Sequence, residues 1–470
     1  MILRIARKEM TEMVRDGRFR VAGAIVFTLL AGALLLGWQH YLEVSAQHAA
    51  AQKSTREQWL GQGKKNPHSA AHYGIYAFKP KVPLTMVDRG TDPYTGVAVW
   101  LEAHKQNEFK YRPAQDATAV QRFGELTGAT VLQLLVPLLI VLLTFNAFSG
   151  ERELGTLRQL LSLGVSQWDL ARGKALGVAG ALGLLLVPAA VMGAVALTAA
   201  SGQADMIASI PRMAWMTLSY LFYFAAFVGV SLAVSAWAPS SRSALIVLLG
   251  FWMFNGLIAP RAASDLAKAV RPAPSAFQFA RGIEKARQGD GHDSASARAK
   301  RLEAELLKKY NVDKVEALPI NITGARLQEG EDHGNEVFDA AYSSLWKTFG
   351  EQDSVHRAVS VLAPSLAVRS TSMAFAGADF PQHAHFAQAA EEYRRLIQRV
   401  MNDDIMRGAG TTGVYLAGDD LWTKVPPFAY TAPDAGWVLA RQTSSLAVLA
   451  LWSVAAGLAA MWAARRVKVY

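Results

Sequence analysis

Six long apolar segments dominate this chain and restrict it to folds that a lipid bilayer can hold. They cover residues 19–38, 126–148, 175–199, 213–237, 244–260 and 444–463. Apart from Arg20, at the edge of the first segment, none contains an acidic, basic or histidine side chain. Each is close to the roughly 20 residues that a helix needs to cross a hydrocarbon core of about 30 Å. The pattern predicts an all-α membrane protein with six transmembrane helices, of which the fifth is the shortest.

Lysine and arginine residues in the short flanks predict how the six spans are oriented. They occur before span 1, between spans 2 and 3, in the turn between spans 4 and 5, and after span 6, namely at Arg4, Arg7, Lys8, Arg15, Arg18, Arg152, Arg158, Arg172, Lys174, Arg242, Arg465, Arg466 and Lys468. With six spans, all of these positions lie on one side of the membrane, which the positive-inside rule assigns to the cytoplasm. Both termini, residues 1–18 and the tail 464–470, are therefore predicted to be cytoplasmic.

The spans leave two long polar insertions on the opposite side, residues 39–125 and residues 261–442. The first is turn-rich, and we expect helical extensions of the flanking spans mixed with irregular structure. The second is mainly helical by its pattern, with amphipathic periods in Ser294–Tyr310, Val337–Val361 and His383–Met406. About 180 residues are enough to bury a core. Because long loops between spans are usually ordered or functional, we expect both insertions to form one folded domain.

A charged segment between spans 2 and 3, residues 149–174, is too short for a domain and too polar for lipid. Its leucines Leu154, Leu157, Leu160 and Leu161 recur at helical spacing. The spacing predicts one short amphipathic helix on the cytoplasmic surface. A surface helix joined at both ends to spans is suited to receive a push from a soluble partner and pass it into the membrane.

The chain has no energy source of its own that its sequence reveals. It contains no phosphate-binding P-loop: Gly173-Lys174 comes closest, but Trp168 replaces the first glycine and Ala175 replaces the hydroxyl residue. The spans hold no carboxylate, histidine or lysine, which argues against proton-coupled transport and intramembrane proteolysis. There is no cysteine for thiol chemistry. We therefore expect no enzymatic activity and no cofactor in this chain, and an ATPase on a separate subunit.

Two stretches resemble the type-2 ABC exporter permease family. Residues Glu151–Leu157, in the segment that ends at Gly173-Lys174, are similar to the coupling helix of these permeases. Residues Arg7–Arg18 are similar to the interfacial helix that precedes their first span, and the position of the coupling helix between spans 2 and 3 agrees as well. The sequence departs from the family at Gly164, where many coupling segments have proline.

The second insertion resembles one subfamily, which has a large periplasmic insertion of unassigned function and is related to multicopper-enzyme-maturation permeases. The similar stretches are Ala376–Asp379, His383–Phe386, Ala390–Arg395 and Met401–Asp403. The resemblance implies a permease subunit in the bacterial inner membrane. It also implies a second permease subunit, either another copy or a paralogue, two ATPase subunits that bind ATP and Mg²⁺, and a possible periplasmic or outer-membrane partner.

The residues that would couple the chain to its ATPase follow from the resemblance. They are Glu151, Glu153, Leu154, Gly155, Thr156, Leu157 and Leu160. Glu151 and Glu153 would contact the ATPase or, equally, stabilise the N-terminus of their own helix. Gly155 would allow close backbone approach. Leu157 and Leu160 would enter an apolar groove of the partner or, alternatively, anchor the helix among lipid headgroups.

Three functions remain open at this point. The first is substrate export by an ATP-driven transporter, whose cargo the sequence leaves undetermined. The second is mechanotransmission, in which ATPase motion reaches a periplasmic partner without a transported substrate. The third is a membrane scaffold that needs no ATPase. Export predicts a polar groove along spans 2 and 5 at the interface between permeases, whereas mechanotransmission predicts a dry, packed interface there.

Other polar residues point to structural roles. No metal site is predicted. The nearest candidates, His383 and His385, would point about 200° apart on a helix, because each residue turns the chain by about 100°. Asn146 and Asn255 lie within spans, where hydrogen bonding between helices is the more frequent role and lining of a translocation path the rarer one. Much of the +10 net charge lies in the membrane flanks, which favours membrane lipids over nucleic acid as the partner.

Overall fold

The computed structural model describes residues 1–116, 126–289, 293–410 and 414–467. It is mostly helical, and its described part has six helices that are long and apolar enough to cross a membrane. These spans are, in order, Gly17–Leu60, Gly128–Glu153, Gln167–Ala200, Asp205–Trp237, Ser241–Val270 and Ala435–Arg465. The prediction of a mainly helical chain with six helices able to span a membrane is thereby confirmed, but the shortest of them is the second, with 26 residues, and not the fifth. Residues 117–125 of the first insertion and 468–470 of the tail, including Lys468, lie outside the described residues.

The N-terminal helix and span 1 are separate helices that meet at Asp16. Helix α1 comprises Ile2–Arg15 and is shorter than the predicted segment 1–18. Asp16 adopts an extended conformation, and its carboxylate accepts a hydrogen bond from the Arg18 backbone N–H at 2.8 Å. This is the geometry of a helix N-cap, so the chain turns at Asp16 and span 1 begins at Gly17.

Span 1 is much longer than its apolar part. It has 44 residues, which corresponds to about 66 Å at 1.5 Å per residue. The predicted end at Trp38 marks only the end of the apolar run, and the helix continues through the polar residues 39–60. One continuous helix therefore runs from the end of the bundle next to α1 to the region that the two insertions form.

Spans 2 and 5 each contain one π-helical turn, Val131–Leu135 in span 2 and Phe254–Ile258 in span 5. A π turn leaves backbone carbonyls without their usual partners. The indole N–H of Trp252 donates to the Leu134 carbonyl at 2.9 Å, and the Tyr223 hydroxyl donates to the Gln133 carbonyl at 3.0 Å. In span 5, Ser365 donates to the Asn255 carbonyl at 2.5 Å. Side chains from neighbouring helices thus satisfy the irregular backbone, as lipid cannot do.

Span 2 lies at the centre of the bundle, and spans 5 and 6 lie at its periphery. Within the chain, 56% of the apolar window of span 2 is buried, against 22% for spans 5 and 6. Most of the apolar window of the outer spans is therefore not covered by the described residues of this chain. The bundle core combines residues of all spans with residues from a helix of the second insertion, described below.

The first insertion contains a small β-sheet, which is a correction to the all-α prediction and to the irregular structure expected there. Helix α2 (Pro67–Tyr73) precedes strands β1 (Ile75–Phe78), β2 (Ala98–Glu102) and β3 (Lys105–Gln106), and the single helical turn α3 (Asp92–Thr95) lies between β1 and β2. The sheet is antiparallel in the order β1-β2-β3, with Ile75 opposite Leu101 and Glu102 opposite Lys105. Ile75, Ala77, Val99 and Leu101 are buried, so one face of the sheet packs on a core, as an alternating strand pattern requires.

The second insertion is helical, in agreement with its pattern. Its longer helices are α4 (Ala276–Gln288), α5 (Ala295–Tyr310), α6 (Ile322–Ser360), α7 (Pro364–Ala376) and α8 (Phe380–Gly408). Helices α6 and α8 begin earlier than predicted, because Asn321 and Asp379 cap their N-termini with side-chain hydrogen bonds. Single helical turns occur at Pro83–Met86, Asp92–Thr95, Pro113–Asp116, Val315–Ala317 and Asp419–Trp422.

Both insertions share one hydrophobic core. Trp59 at the end of span 1, Ile75 and Leu101 of the sheet, and Phe386 and Trp422 of the second insertion belong to it. Trp59 and Trp422 are fully buried, and the indole N–H of Trp59 donates to the Trp422 carbonyl at 3.0 Å. We call the region formed by the described residues of 39–116 and 271–434 the insertion domain.

Helix α7 belongs to the insertion domain by sequence, but it packs among the ends of the spans. Its residues Ala367, Val368 and Phe375 are buried in the same core as Leu34 of span 1 and Val131 of span 2. The insertion domain and the membrane bundle are therefore joined by continuous packing and not only by the chain.

Candidate functional site

The predicted coupling helix is two short helices in the structure. Span 2 ends with Ser149–Glu153, and a separate helix, Thr156–Ser162, follows. Gly155 between them has φ of +76°, and Gly164 after the second helix has φ of +79°. Both conformations are left-handed and suit glycine, whereas proline is held near φ −65°. The prediction of one continuous helix is therefore wrong at Gly155, and proline cannot replace Gly164 in this turn. We call residues 149–166, which end where span 3 begins at Gln167, the coupling segment, after the role predicted for them from the sequence.

The apolar residues of the coupling segment face in two directions. Leu157 is 2% exposed and packs in a core with Phe148 and Leu170, and Leu160 is half-buried against the same core. Leu154 and Leu163 are 79% and 77% exposed. Of the leucines expected to enter a partner, Leu157 thus lies in the chain's own core. The accessible apolar side chains of the segment are Leu154 and Leu163.

A buried ion network joins the coupling segment to α1 and span 3. The ammonium of Lys174, which is 1% exposed, lies 3.0 Å from a carboxylate oxygen of Glu9 and 2.9 Å from one of Glu151. Lys8 lies 3.2 Å from Glu9 and 3.5 Å from Glu151. Lys8 also pairs with the exposed Glu12 at 3.0 Å, so two cations face three carboxylates. A buried ion without its partner costs several kcal/mol, so these contacts hold the three elements in one arrangement.

Span 3 accommodates α1 through small residues. A Cβ atom added at Gly177 would lie 2.6 Å from the Glu9 Cβ, and one added at Gly173 would lie 2.5 Å from the Ile5 Cγ2. The two helices therefore approach so closely that neither position has space for a larger residue. This close packing brings Glu9 within reach of Lys174.

Arg152 and Glu153 bind the turn between spans 4 and 5. The Arg152 guanidinium donates to the carbonyls of Ala236 and Ala238, at 2.6 and 2.5 Å, where span 4 ends. The Glu153 carboxylate accepts from the backbone N–H and the hydroxyl of Ser241, each at 2.7 Å, where span 5 begins. The cation lies at a helix C-terminus and the anion at an N-terminus, as the helix dipole favours. Glu153 therefore caps a helix, but that helix is span 5 and not its own.

The remaining predicted coupling residues lie at the surface of the segment. Gly155 and Thr156 are exposed, and the Thr156 hydroxyl donates to the Glu151 carbonyl at 3.2 Å. The structure thus places Glu151, Glu153, Leu157 and Leu160 in one junction that contacts α1 and spans 3, 4 and 5. Leu154, Gly155 and Thr156 lie exposed at its surface. Lys174, Glu9 and Arg152 also belong to this junction. They were assigned no coupling role from the sequence, although the charged run Glu151–Glu153 pointed to Arg152.

The two sequence candidates for a metal site are not brought together. The His383 ring is buried, with its centroid 4.5 Å from that of Phe109. The His385 ring is exposed, and its Nδ1 lies 3.0 Å from the Tyr430 hydroxyl. Burial lowers the pKa of His383 to about 4, and the positive charge of Lys79 acts in the same direction. His383 is therefore a neutral core residue, and His385 lies on a different face of α8.

A buried polar chain links the insertion domain to the spans. The Ser372 hydroxyl of α7 donates to the Asp88 carboxylate at 2.5 Å and lies 2.9 Å from the Tyr220 hydroxyl of span 4. Gln133 of span 2 donates to the same Tyr220 oxygen at 3.1 Å. Arg212, also buried, contacts the Gln382 side chain at 3.2 Å. These hydrogen bonds connect spans 2 and 4 to α7 and α8.

Three histidines that the sequence predictions did not include converge in the insertion domain. His68 and His72 lie on α2, His104 lies in the β2–β3 turn, and one imidazole nitrogen from each is within 4.8 Å of the others. Glu331 of α6 accepts from the backbone N–H of His104 at 2.7 Å and pairs with Arg394 at 2.9 Å. Burial alone would raise the pKa of Glu331, but the His104 hydrogen bond and the Arg394 charge lower it to about 2. The spacing of His68 and His72, four residues apart, was a usable signal for the first pair.

Comparison with known proteins identifies one related region. Residues 276–431 match a family described as a domain of unknown function, DUF3526. The match covers helices α4–α8 and the following loop, and it leaves the spans, the coupling segment and the first insertion outside. No curated protein matches the chain.

Proposed function

We propose that this chain is the permease subunit of an ATP-driven ABC transporter, in which a separate ATPase does the work. The observation that carries the proposal is the junction around the coupling segment. Its residues contact α1 and spans 3, 4 and 5, and two of its leucines, Leu154 and Leu163, remain exposed. A segment that is bound tightly to the bundle and offers apolar side chains outward is suited to docking on a partner.

Force applied at the coupling segment would reach the spans by two routes. One is the ion network through Lys174, which moves span 3 with α1. The other is the pair Arg152 and Glu153, which moves the turn between spans 4 and 5. Because both routes use several hydrogen bonds or ion pairs with buried partners, the segment and the spans would move together rather than slide.

Transport would then proceed at an interface between two permease subunits. Spans 5 and 6 have the smallest buried share of the six described spans, 22% each, and would form that interface in place of spans 2 and 5, because span 2 is 56% buried at the centre of the bundle. ATP-driven closure of the two ATPase subunits would push the coupling segments and change how the outer spans pack. The polar groups that a cargo would meet are few within the spans, which favours an apolar or amphipathic cargo.

Mechanotransmission is a second candidate, and a specific observation favours it. Span 1 runs without a break from Gly17 to Leu60, and Trp59 near its end lies in the core of the insertion domain. Helix α7 and the chain of Asp88, Ser372, Tyr220 and Gln133 connect the same domain to spans 2 and 4. These rigid connections would carry motion to a partner of the insertion domain without any cargo.

Both candidates require the ATPase, so its recruitment is the first test. The tagged full-length chain is purified in mild detergent from its own cells, and ATP hydrolysis by the preparation is measured. The double variant Leu154→Asp/Leu163→Asp places two charges at the exposed positions and should lose both the ATPase and its activity. The matched variant Val414→Asp, at an 85% exposed apolar residue of the insertion domain, should retain both. Equal activity in the two variants would support the scaffold alternative.

The proposal also fixes the orientation, with the coupling segment in the cytoplasm of a bacterial cell and the insertion domain in the periplasm. Because the chain has no cysteine, single cysteines can be introduced without background. Ser162→Cys on the coupling segment and Ser343→Cys on α6 are both exposed. A membrane-impermeant maleimide should label Ser343→Cys in spheroplasts and should label Ser162→Cys only after lysis. The reverse pattern would exclude an ATPase at the coupling segment.

A further inference from the structure

The convergence of His68, His72 and His104 has no role in the proposed transport mechanism. Their ring centroids lie 4.7 to 5.1 Å apart, although they come from a helix and from a hairpin turn. His72 is exposed and the other two are half-buried, so the cluster opens to solvent. Each neutral imidazole offers one nitrogen lone pair, which can accept a hydrogen bond or bind a metal ion.

The separations match those of ligands around one metal ion. Two nitrogens bound tetrahedrally to zinc at about 2.0–2.1 Å lie about 3.3 Å from each other. The Nε2 atoms of His68 and His72 are 3.3 Å apart, as expected for residues one helical turn apart that face the same ion. The third nitrogen lies within 4.8 Å of both.

A carboxylate orients the third histidine. The Nδ1 of His104 lies 2.7 Å from a Glu331 oxygen, so the hydrogen is on Nδ1 and the Nε2 lone pair is free for a ligand. A metal-bound histidine usually donates its second N–H to a carboxylate in this way. Glu331 is itself held by Arg394, and both side chains are buried. The orienting group is thus fixed in position.

The backbone at His104 has an unusual conformation. Its φ is +66°, a left-handed value that is uncommon for a residue other than glycine. The conformation directs the turn so that both the backbone N–H and the ring of His104 reach Glu331. The left-handed conformation of His104 in the β2–β3 turn therefore brings its imidazole into contact with Glu331.

We propose that His68, His72 and His104 form a binding site for a divalent transition metal that prefers imidazole, with Zn²⁺ as the reference ion. Three imidazole nitrogens, with no oxygen ligand in the cluster among the described residues, disfavour Mg²⁺ and Ca²⁺. Three protein ligands leave one tetrahedral position for water or for a group from a partner. Bound metal would join α2 to the β2–β3 turn and, through Glu331, to α6.

The site lies where the two insertions meet. The histidines belong to the first insertion, and Glu331 belongs to the region that matches DUF3526. Metal binding would therefore fix the first insertion against the second. This inference depends on the geometry of the insertion domain alone and stands whether or not the chain is a permease.

Equilibrium dialysis of the full-length protein tests the site. The protein carries a histidine-free tag, is stripped with EDTA, and is then dialysed against buffers that set the free Zn²⁺ concentration. We expect one zinc per chain with nitrogen ligands by X-ray absorption spectroscopy. Loss of a residue that only orients a metal ligand weakens metal binding by about 10- to 100-fold. His72→Ala removes a ligand itself and should therefore weaken zinc binding by at least about tenfold. The triple variant His68→Ala/His72→Ala/His104→Ala should lose the site.

Controls separate this site from other histidines and from misfolding. His385→Ala removes another exposed histidine of the insertion domain and should leave zinc affinity unchanged. Because His72 is exposed, His72→Ala should elute and unfold without metal as the wild-type protein does. Cu²⁺ and Ni²⁺ should compete for the site, whereas Mg²⁺ and Ca²⁺ should not. Wild-type zinc binding in the triple variant, or no stoichiometric zinc at micromolar free Zn²⁺, would overturn the proposal.

Discussion

Single charged residues at the coupling segment have partners that their sequence neighbours do not reveal. Lys174 follows Gly173 in a sequence that resembles the end of a P-loop, yet its ammonium is paired with Glu9 and Glu151. Glu153 was expected either to contact an ATPase or to stabilise its own helix, and it caps span 5. At this scale, the fold decides which of several ordinary roles a charged residue takes.

Replacing Lys174 should be far more costly than replacing its neighbour in the same network. Lys174→Met leaves Glu9 and Glu151 buried without their closest cation, and we expect a loss of about 3–5 kcal/mol of stability. The loss should appear as a large fall in the thermal unfolding midpoint in detergent. Lys8→Met, at a side chain that is 47% exposed, should change stability by no more than about 1 kcal/mol. Equal effects of the two variants would contradict the buried network.

His383 should make the insertion domain sensitive to acid. The pKa of this buried histidine is lowered from 6.5 to about 4, so between these values the unfolded chain binds a proton that the folded chain does not. Stability is therefore complete above pH 6.5 and falls as the pH approaches 4, by about 3 kcal/mol at 1.36 kcal/mol per pH unit. Unfolding midpoints measured in EDTA across this range check the slope.

The variant His383→Phe removes this titration and keeps an aromatic ring beside Phe109. Its unfolding midpoint should depend less on pH between 6.5 and 4 than that of the wild-type protein. His385→Gln, at the exposed histidine two residues away, should retain the wild-type slope. An unchanged slope in His383→Phe would show that another group causes the acid sensitivity.

At the scale of helices, the spans were predictable and their ends were not. An apolar run ends where the side chains become polar, but a helix ends where its backbone hydrogen bonding stops. Span 1 therefore continues 22 residues beyond its predicted end at Trp38, to Leu60. The π turns at Val131–Leu135 and Phe254–Ile258 could not be predicted either, because Trp252, Tyr223 and Ser365 from other helices satisfy them.

The close packing of α1 on span 3 gives a matched pair of variants. Gly177→Ala would place a methyl group 2.6 Å from the Glu9 Cβ, and such overpacking costs about 1–3 kcal/mol. We expect α1 to move away from span 3 and to become more sensitive to limited proteolysis. Gly183→Ala, on the same helix, adds a methyl group where nothing lies within 4 Å and should have no such effect. Equal protease sensitivity of the two variants would contradict the packing.

For the whole molecule, the shared core of the two insertions is the main result that the sequence only suggested. The region that matches DUF3526 contributes Phe386, Ile397 and Trp422 to this core, and the first insertion covers them with Ile75 and Leu101. The family boundary is thus not a folding boundary in this chain. The hydrophobic core of the matched region 276–431 is completed by residues of the first insertion, such as Leu101, which lie more than 170 positions earlier in the chain.

Residues 276–431 expressed alone should therefore not fold cooperatively. Without Trp59, the sheet and α2, the fragment exposes the apolar faces of α8 and of the segment around Trp422. Circular dichroism should show helix, and thermal unfolding should be broad. In the full chain, Trp59→Ala should destabilise the insertion domain by about 3–5 kcal/mol. A sharp unfolding transition of the isolated fragment would contradict the shared core.

The sequence alone determined that this chain has six apolar helices, because any segment in lipid must satisfy its backbone hydrogen bonds internally and present apolar side chains. It also predicted a charged segment between spans 2 and 3 and helices in the second insertion, since both depend on local periodicity. Only the tertiary structure decided that Leu157 is buried while Leu154 is exposed, that β1–β3 form a sheet, and that His104 meets His68 and His72. These features join residues distant in sequence, and local patterns carry no information about which distant surface will cover them.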